Sequence, residues 1–160
     1  MTTSDLVDSL ANFIKNATKD LMLPVRVVSD GAESKTRTPI IYKMRVPTKE
    51  AEIQQIPYIV VQHLKGKDER DENGIASCTA VIRILIATYS ENQEEGAISV
   101  ENIINRIRIP LLKQGIIAKK YLVNMPLEYV IYPDPIPPYY LGEMITNWQV
   151  PPVEREVRYD

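Results

Sequence analysis

Leu6, Leu10, Phe13, Ile14, Ala17 and Leu21 recur at three- and four-residue steps, which places them on one face of an amphipathic helix. Thr3 or Ser4 stands where its N-cap should be. The helix stops near "LMLPV", because Pro24 disfavours helical geometry in the residue before it. Beyond it, "VRVVS" reads as a short strand, "DGAESKTRT" as polar loop, and "PIIYKMRV" as a second strand bounded by Pro39 and Pro47. "PTKEAEIQQIP" is a further connection.

The strongest strand signal comes next, in "PYIVVQHLKG" and "GIASCTAVIRILIATYS", separated by the charged run "KDERDEN". This is a β-hairpin with a long loop. Ala76, Cys78, Ala80, Ile82, Ile84 and Ile86 share one face of its second arm, as in a strand packed on a core. The other face changes from Ser77 and Thr79 to Val81, Leu85 and Ala87, so the far half should be covered on both sides. About fifteen residues at roughly 3.3 Å each would span ~50 Å, whereas a domain of this size is only about 40 Å across. The hairpin must therefore bend, contain a bulge or project. A projecting tip points to contact with another subunit, since a lone two-stranded ribbon is marginal in water.

A second amphipathic helix follows in "ENQEEGAISVENIINRIRIPLLKQG", carried by Ala97, Val100, Ile104, Ile107 and Leu111. Ser90 and Gln93 have capping-box spacing, Gly96 can delay the regular start, Pro110 should kink or tighten the last turn, and Gly115 ends it. The period then returns to two: Tyr121, Val123, Met125, Leu127, Tyr129 and Ile131 share a strand face, with Pro126 placing that strand at a sheet edge or a bulge. Tyr140, Met144, Trp148 and Val150 mark a final strand. Between these two strands lies "PDPIPPYY", whose Pro137, Pro138 and Tyr140 match a PPxY ligand for a WW domain. Because core-type strands flank it, the prolines read as a stiff connection rather than a free tail. The expected fold is α+β. One domain covers residues 1–160, with a mostly antiparallel sheet, two main helices packed on it, a long hairpin, and an extended tail from about residue 151.

Composition narrows the chemistry. With 44% hydrophobic and 25% charged residues in 160, this is an ordinary soluble domain that should bury about 70% of its unfolded surface without disulfide or metal. No run approaches the roughly 18 apolar residues of a membrane span, and "MTTSDLVDSLANF" lacks a leader pattern, so a cytosolic place of synthesis is expected. Nineteen basic against 21 acidic side chains give a net charge of −2. That offers no general attraction to phosphate backbones. Lys35, Arg37, Lys43, Arg45, Lys119 and Lys120 are scattered among acids and read as surface. With one histidine and one cysteine, triads and zinc sites are hard to build. His63 and Cys78 could face each other across the hairpin, but a pair inside a sheet has no evident substrate cavity. The acids of "KDERDENG" lack the ligand order of an EF-hand loop, and no phosphate-cradling glycine motif occurs. No enzyme activity, cofactor or metal is expected.

The chain resembles the small tail-terminator, or minor tail, proteins of tailed bacteriophages and prophages. The likeness spans nearly the whole chain, through "ATKDLMLPV", "PYIVVQHLKGKDERDENG", "ATYSENQEEGAISVENIINRIRIPLLKQGII" and "PLEYVIYPDPIPPYYLGEMITNWQVPPVERE". The resemblance implies a six-membered ring of identical subunits at the head-proximal end of the tail tube. Such a ring stops tube growth and offers a surface to the head–tail connector, and to the sheath if the tail contracts. It would sit in the neck of the virion after assembly in the host cytoplasm, with genome DNA passing through but no specific nucleic-acid site. Expected interface residues are Lys67, Asp68, Glu69, Arg70, Asp71 and Glu72 at the hairpin tip, and Glu154 and Arg155 in the tail. Tyr139 and Tyr140 join them, standing where such chains often carry tryptophan. Two other readings are another neck component, either a head-completion protein or a connector adaptor, and an adaptor recognised through its proline motif.

Overall fold

The structure is a computed structural model that describes residues 2–26, 35–47 and 56–156. Helix α1 spans Thr3–Thr18, and its N-cap is Thr2, one residue earlier than expected. Thr2 and Asp5 form a reciprocal capping box that satisfies two backbone donors of the first turn. Leu6, Leu10 and Ile14 are fully buried, as their spacing requires, and Val7 and Ala11 widen the stripe. Helix α2 spans Gln93–Gln114. Asn92, not Ser90, caps it by accepting from the Glu95 amide, while Ser90 Oγ accepts from the Asn92 amide and shapes the turn before the helix. Val100, Ile104, Ile107 and Leu111 are buried with Ile103, but Ala97 is exposed. The helix continues through Pro110 to Gln114 and ends at Gly115, whose φ of 71° suits glycine.

Strands β1 (Leu23–Val25) and β2 (Lys35–Arg37) form a small antiparallel pair. The first strand is thus earlier than the expected residues 25–29, of which 27–29 lie outside the described residues, and part of the expected loop is strand. The connection expected over 47–57 falls largely outside the described residues. The main sheet contains β3 (Ile40–Lys43), β4 (Tyr58–Arg70), β5 (Ala76–Tyr89), β6 (Ile116–Ile117), β7 (Tyr121–Ile131) and β8 (Tyr139–Val150), in the order β3-β4-β5-β8-β7-β6. All neighbours are antiparallel except β3 and β4. The chain is therefore a single α+β domain with a mostly antiparallel sheet. Helix α1 packs on β3 and β4, and α2 on β5, β7 and β8, so both helices cover one face.

Alternation explains how the sheet sits on them. Ala80, Ile82, Ile84 and Ile86 of β5, with Met144, Thr146, Trp148 and Val150 of β8, are buried beneath the helices. On the opposite face Tyr58, Val60, Ala87 and Tyr89 build a second cluster, which buries the far half of β5 on both sides. Strand β7 carries an irregularity between Asn124 and Glu128, where three residues face Thr146 alone. The surplus is two residues, so alternation resumes on the same face after Pro126. Val123, Leu127 and Ile131 keep core contact, while Met125 is expelled to 68% exposure. The proline segment is an ordered connection: the Tyr132 amide donates to Leu141 O, and the Ser90 amide to Pro138 O.

Candidate functional site: the projecting hairpin and the open sheet edges

The β4–β5 ladder runs without a gap from Tyr58 opposite Ala87 to Arg70 opposite Ala76, apart from one bulge between His63 and Lys65. Lys67, Asp68, Glu69 and Arg70, expected in a loop, are therefore on β4. Only 71–75 form the turn, where Asp71 Oδ1 accepts from the amides of Asn73 (2.9 Å) and Ile75 (2.8 Å), and Gly74 takes a φ of 78°. Strand β8 accompanies β5 only as far as Cys78 opposite Val150, so the last rungs form a two-stranded ribbon that outruns the sheet. The hairpin thus meets the length constraint twice, by a bulge and by projection. The bulge has one surplus residue and expels Leu64 to 52% exposure.

The expected interface residues fall into three environments. Lys67 to Glu72 are exposed along the ribbon and its turn, and Glu154 and Arg155 are exposed in the segment that follows β8. That segment lies beside the ribbon, with Arg70 Nη2 donating to Val153 O at 3.5 Å. Tyr139 is half-buried, accepts from Arg26 Nη1 at 2.7 Å and lies 5.9 Å from the Tyr89 ring. Tyr140 departs from the expectation: only 3% exposed, it packs on Gly96 of α2 and belongs to the core.

The His63 and Cys78 pair does not form. Register puts His63 opposite Ile82 and Cys78 opposite Asp68, four rungs apart, or about 13 Å. His63 Nε2 lies 3.0 Å from Lys65 O, and burial, reinforced by Asp68, pushes the Cys78 thiol above its ordinary pKa. Among the described residues no group of three His, Cys, Asp or Glu side chains could hold a metal ion. A shallow groove between α1 and α2 is lined by Phe13, Ala17, Ile109 and Pro110 with one charged side chain, Arg106, so it assembles no acid–base pair. No described helix is long and apolar enough to cross a membrane.

A polar group on the helix-free face escaped the sequence reading. Arg83 Nε donates to Glu143 Oε2 at 2.5 Å, and its other nitrogens reach Gln62 Oε1 (3.4 Å) and the Tyr132 hydroxyl (3.3 Å). Burial works against the charge of Arg83, but its bonds to Glu143 and Tyr132 outweigh this and raise its pKa. The available signal was three long polar residues, Gln62, Arg83 and Glu143, inside otherwise apolar strands.

Among the described residues, both sides of the main sheet end in backbone without a strand partner. Strand β6 pairs only with Tyr121 and Leu122, and the Val123 amide donates to Gly115 O. From Asn124 to Ile131 no strand among the described residues flanks β7 on its outer side. The Tyr132 amide points inward to Leu141 O, so alternation turns the amides of Tyr129 and Ile131 outward. Leu122, Met125, Tyr129 and Val130 crowd this edge with 42–68% exposure. Across the sheet, β3 covers β4 only through Val61, whose carbonyl accepts from the Met44 amide. The outer edge of Leu64–Arg70 has no strand partner among the described residues.

No protein-family model matches the sequence, and no curated protein sequence matches it.

Proposed function

We propose that this chain is a tail terminator: a subunit of a closed ring that caps the head-proximal end of a phage tail tube and presents the surface joined by the head connector. The observation that carries the reading is a six-stranded sheet whose two opposite edges have stretches without a strand partner among the described residues, and a charged ribbon projecting beyond it. Heterologous contacts around a ring need two different patches per subunit, and these edges are two such patches on one rigid element. Exposed charged residues from Asp68 to Glu72, with Glu154 and Arg155, suit an axial contact with the tube or connector. A net charge of −2 suits a channel through which DNA must slide without sticking. Contact with a sheath follows only in a contractile particle.

Negative-stain microscopy of the purified protein tests the ring directly. The reading requires six-fold ring views at micromolar concentration, and a strict monomer or an open filament would sink it. Location separates it from another neck role, since the terminator must be present on isolated tails. Recovery on filled heads and absence from tails would assign it to head completion instead.

A further inference from the structure

We infer that neighbouring copies join by antiparallel strand addition, the β7 edge of one copy taking the β4 edge of the projecting hairpin of the next, with Glu128 opposite Lys67 and Tyr129 over Gly66. This rests on the ring reading and specifies its subunit contact. Strand direction comes first. Strands β4 and β5 are antiparallel, as are β5 and β8, and β8 and β7, so β4 and β7 run in opposite directions. A copy rotated about an axis roughly along the strands therefore sets β7 beside its neighbour's β4 in antiparallel sense.

Backbone alternation selects the pairing. The Val61 carbonyl points away from β5, toward Met44. The one-residue bulge shifts that alternation, so the outward amides beyond it belong to Gly66 and Asp68. On β7 the outward amides belong to Tyr129 and Ile131. Placing Tyr129 opposite Gly66 joins outward groups to outward groups and keeps facing side chains on the same side of the sheet. It also sets Val130 against the Lys65 stem and Ile131 beside exposed Leu64. Glu128 then faces Lys67, where opposite charges favour a cross-strand pair, and the Tyr129 ring covers a glycine that has no side chain of its own.

The offset this demands is consistent with closure. Glu128 is level with Arg83, through Ile145, and Lys67 is level with Thr79. The four-rung difference is about 13 Å, against about 19 Å for the four strands that each copy would add. The slope is about 35°, at the edge of the 35–45° tilt that closed sheets adopt. The open β4 edge gains a strand partner, and the apolar β7 edge is covered.

The test uses the full chain with Cys78→Ala, carrying Glu128→Cys and Lys67→Cys, under mild oxidation. Facing residues of an antiparallel pair have Cβ atoms about 5 Å apart, so covalent ladders up to the full ring should appear on denaturing gels, with none from either single-cysteine variant. In parallel, Glu128→Lys should weaken ring assembly roughly tenfold through like charges at every contact, and adding Lys67→Glu should restore it. Normal rings that give no 67–128 ladder and ignore Glu128→Lys overturn the inference and leave the ring reading standing. A parent protein that forms no ring overturns both.

Discussion

Gly96→Ala separates packing from propensity by the sign of its effect. Within a helix this exchange should stabilise by about 1 kcal/mol, because alanine loses less backbone entropy. Here, however, an added Cβ would lie 2.2 Å from Tyr140 Cε2 and 2.4 Å from Cδ2 and Cζ. Carbon atoms in contact sit about 3.5–4.0 Å apart, so the overlap is roughly 1.5 Å against a ring. Tyr140 is 3% exposed, so relieving the overlap means that α2 lifts or the ring leaves its place in the core. Overpacking of this kind costs about 1–3 kcal/mol, and ejecting an aromatic side chain takes it to the upper end. After the propensity gain, a net loss of about 2 kcal/mol remains. With a urea slope of about 2 kcal/mol per molar, the unfolding midpoint should fall by about 1 M. In a Tyr140→Leu background the same change should cost far less, which is the non-additivity expected of touching residues. An unchanged or raised midpoint for Gly96→Ala alone would refute the packing argument.

The Tyr140 hydroxyl is buried with no hydrogen-bond partner among the described residues; Tyr140→Phe should be neutral or stabilise by up to about 1 kcal/mol in the same urea assay, and a loss beyond that size would mean the hydroxyl has a partner. Cys78, its pKa raised chiefly by burial, should react with a thiol reagent at pH 8 at least about tenfold more slowly in the folded than in the unfolded chain; equal rates would place it at the surface. The Asp5 carboxylate accepts from the Thr2 amide (2.9 Å) and hydroxyl (3.1 Å), which holds its pKa below the ordinary carboxylate value. A depressed folded-state pKa means stability present above the unfolded pKa, about 4, and lost as pH falls through the folded value. Asp5→Asn should therefore flatten the acid limb of the stability profile between these two values, and an identical limb would count against the capping box.

The elements that could be read from the chain were those whose pattern is repeated within one segment. The Leu6, Leu10 and Ile14 positions of α1, the β5 face from Ala80 to Ile86 and the β8 alternation all carry buried residues where their periods put them, while Phe13, Ala17 and Leu21 of the expected stripe are only half-buried. Burial on both faces of the far half of β5 was legible for the same reason, since Leu85 and Ala87 interrupt a polar face. Boundaries set by cross-strand pairing were not legible. The charged residues from Lys67 to Arg70 look like loop, yet the ladder with Ala76 to Thr79 keeps them in β4, because backbone pairing is indifferent to an exposed side chain. Lys35–Arg37 likewise becomes strand only through β1. The helix caps shifted because Thr2 and Asn92 have partners three residues on that suit them better than those of Thr3, Ser4 or Ser90. Within the candidate site, length alone required the hairpin to bend, bulge or project, and the ladder shows a bulge together with projection. The Arg83 and Glu143 pair was not legible, since it joins residues distant in sequence, whereas the burial of Tyr140 was already implied by its place in the β8 alternation.

The central claim is that this chain ends tube growth, and the most direct measurement is the length distribution of tubes assembled with and without it. The tube protein encoded by the same genome would be polymerised at fixed concentration, with increasing amounts of the purified chain, and imaged. Tubes are expected to shorten as the chain is added, with a ring on one end only. Tubes of unchanged length with bare ends, or decoration along their whole length, would contradict it.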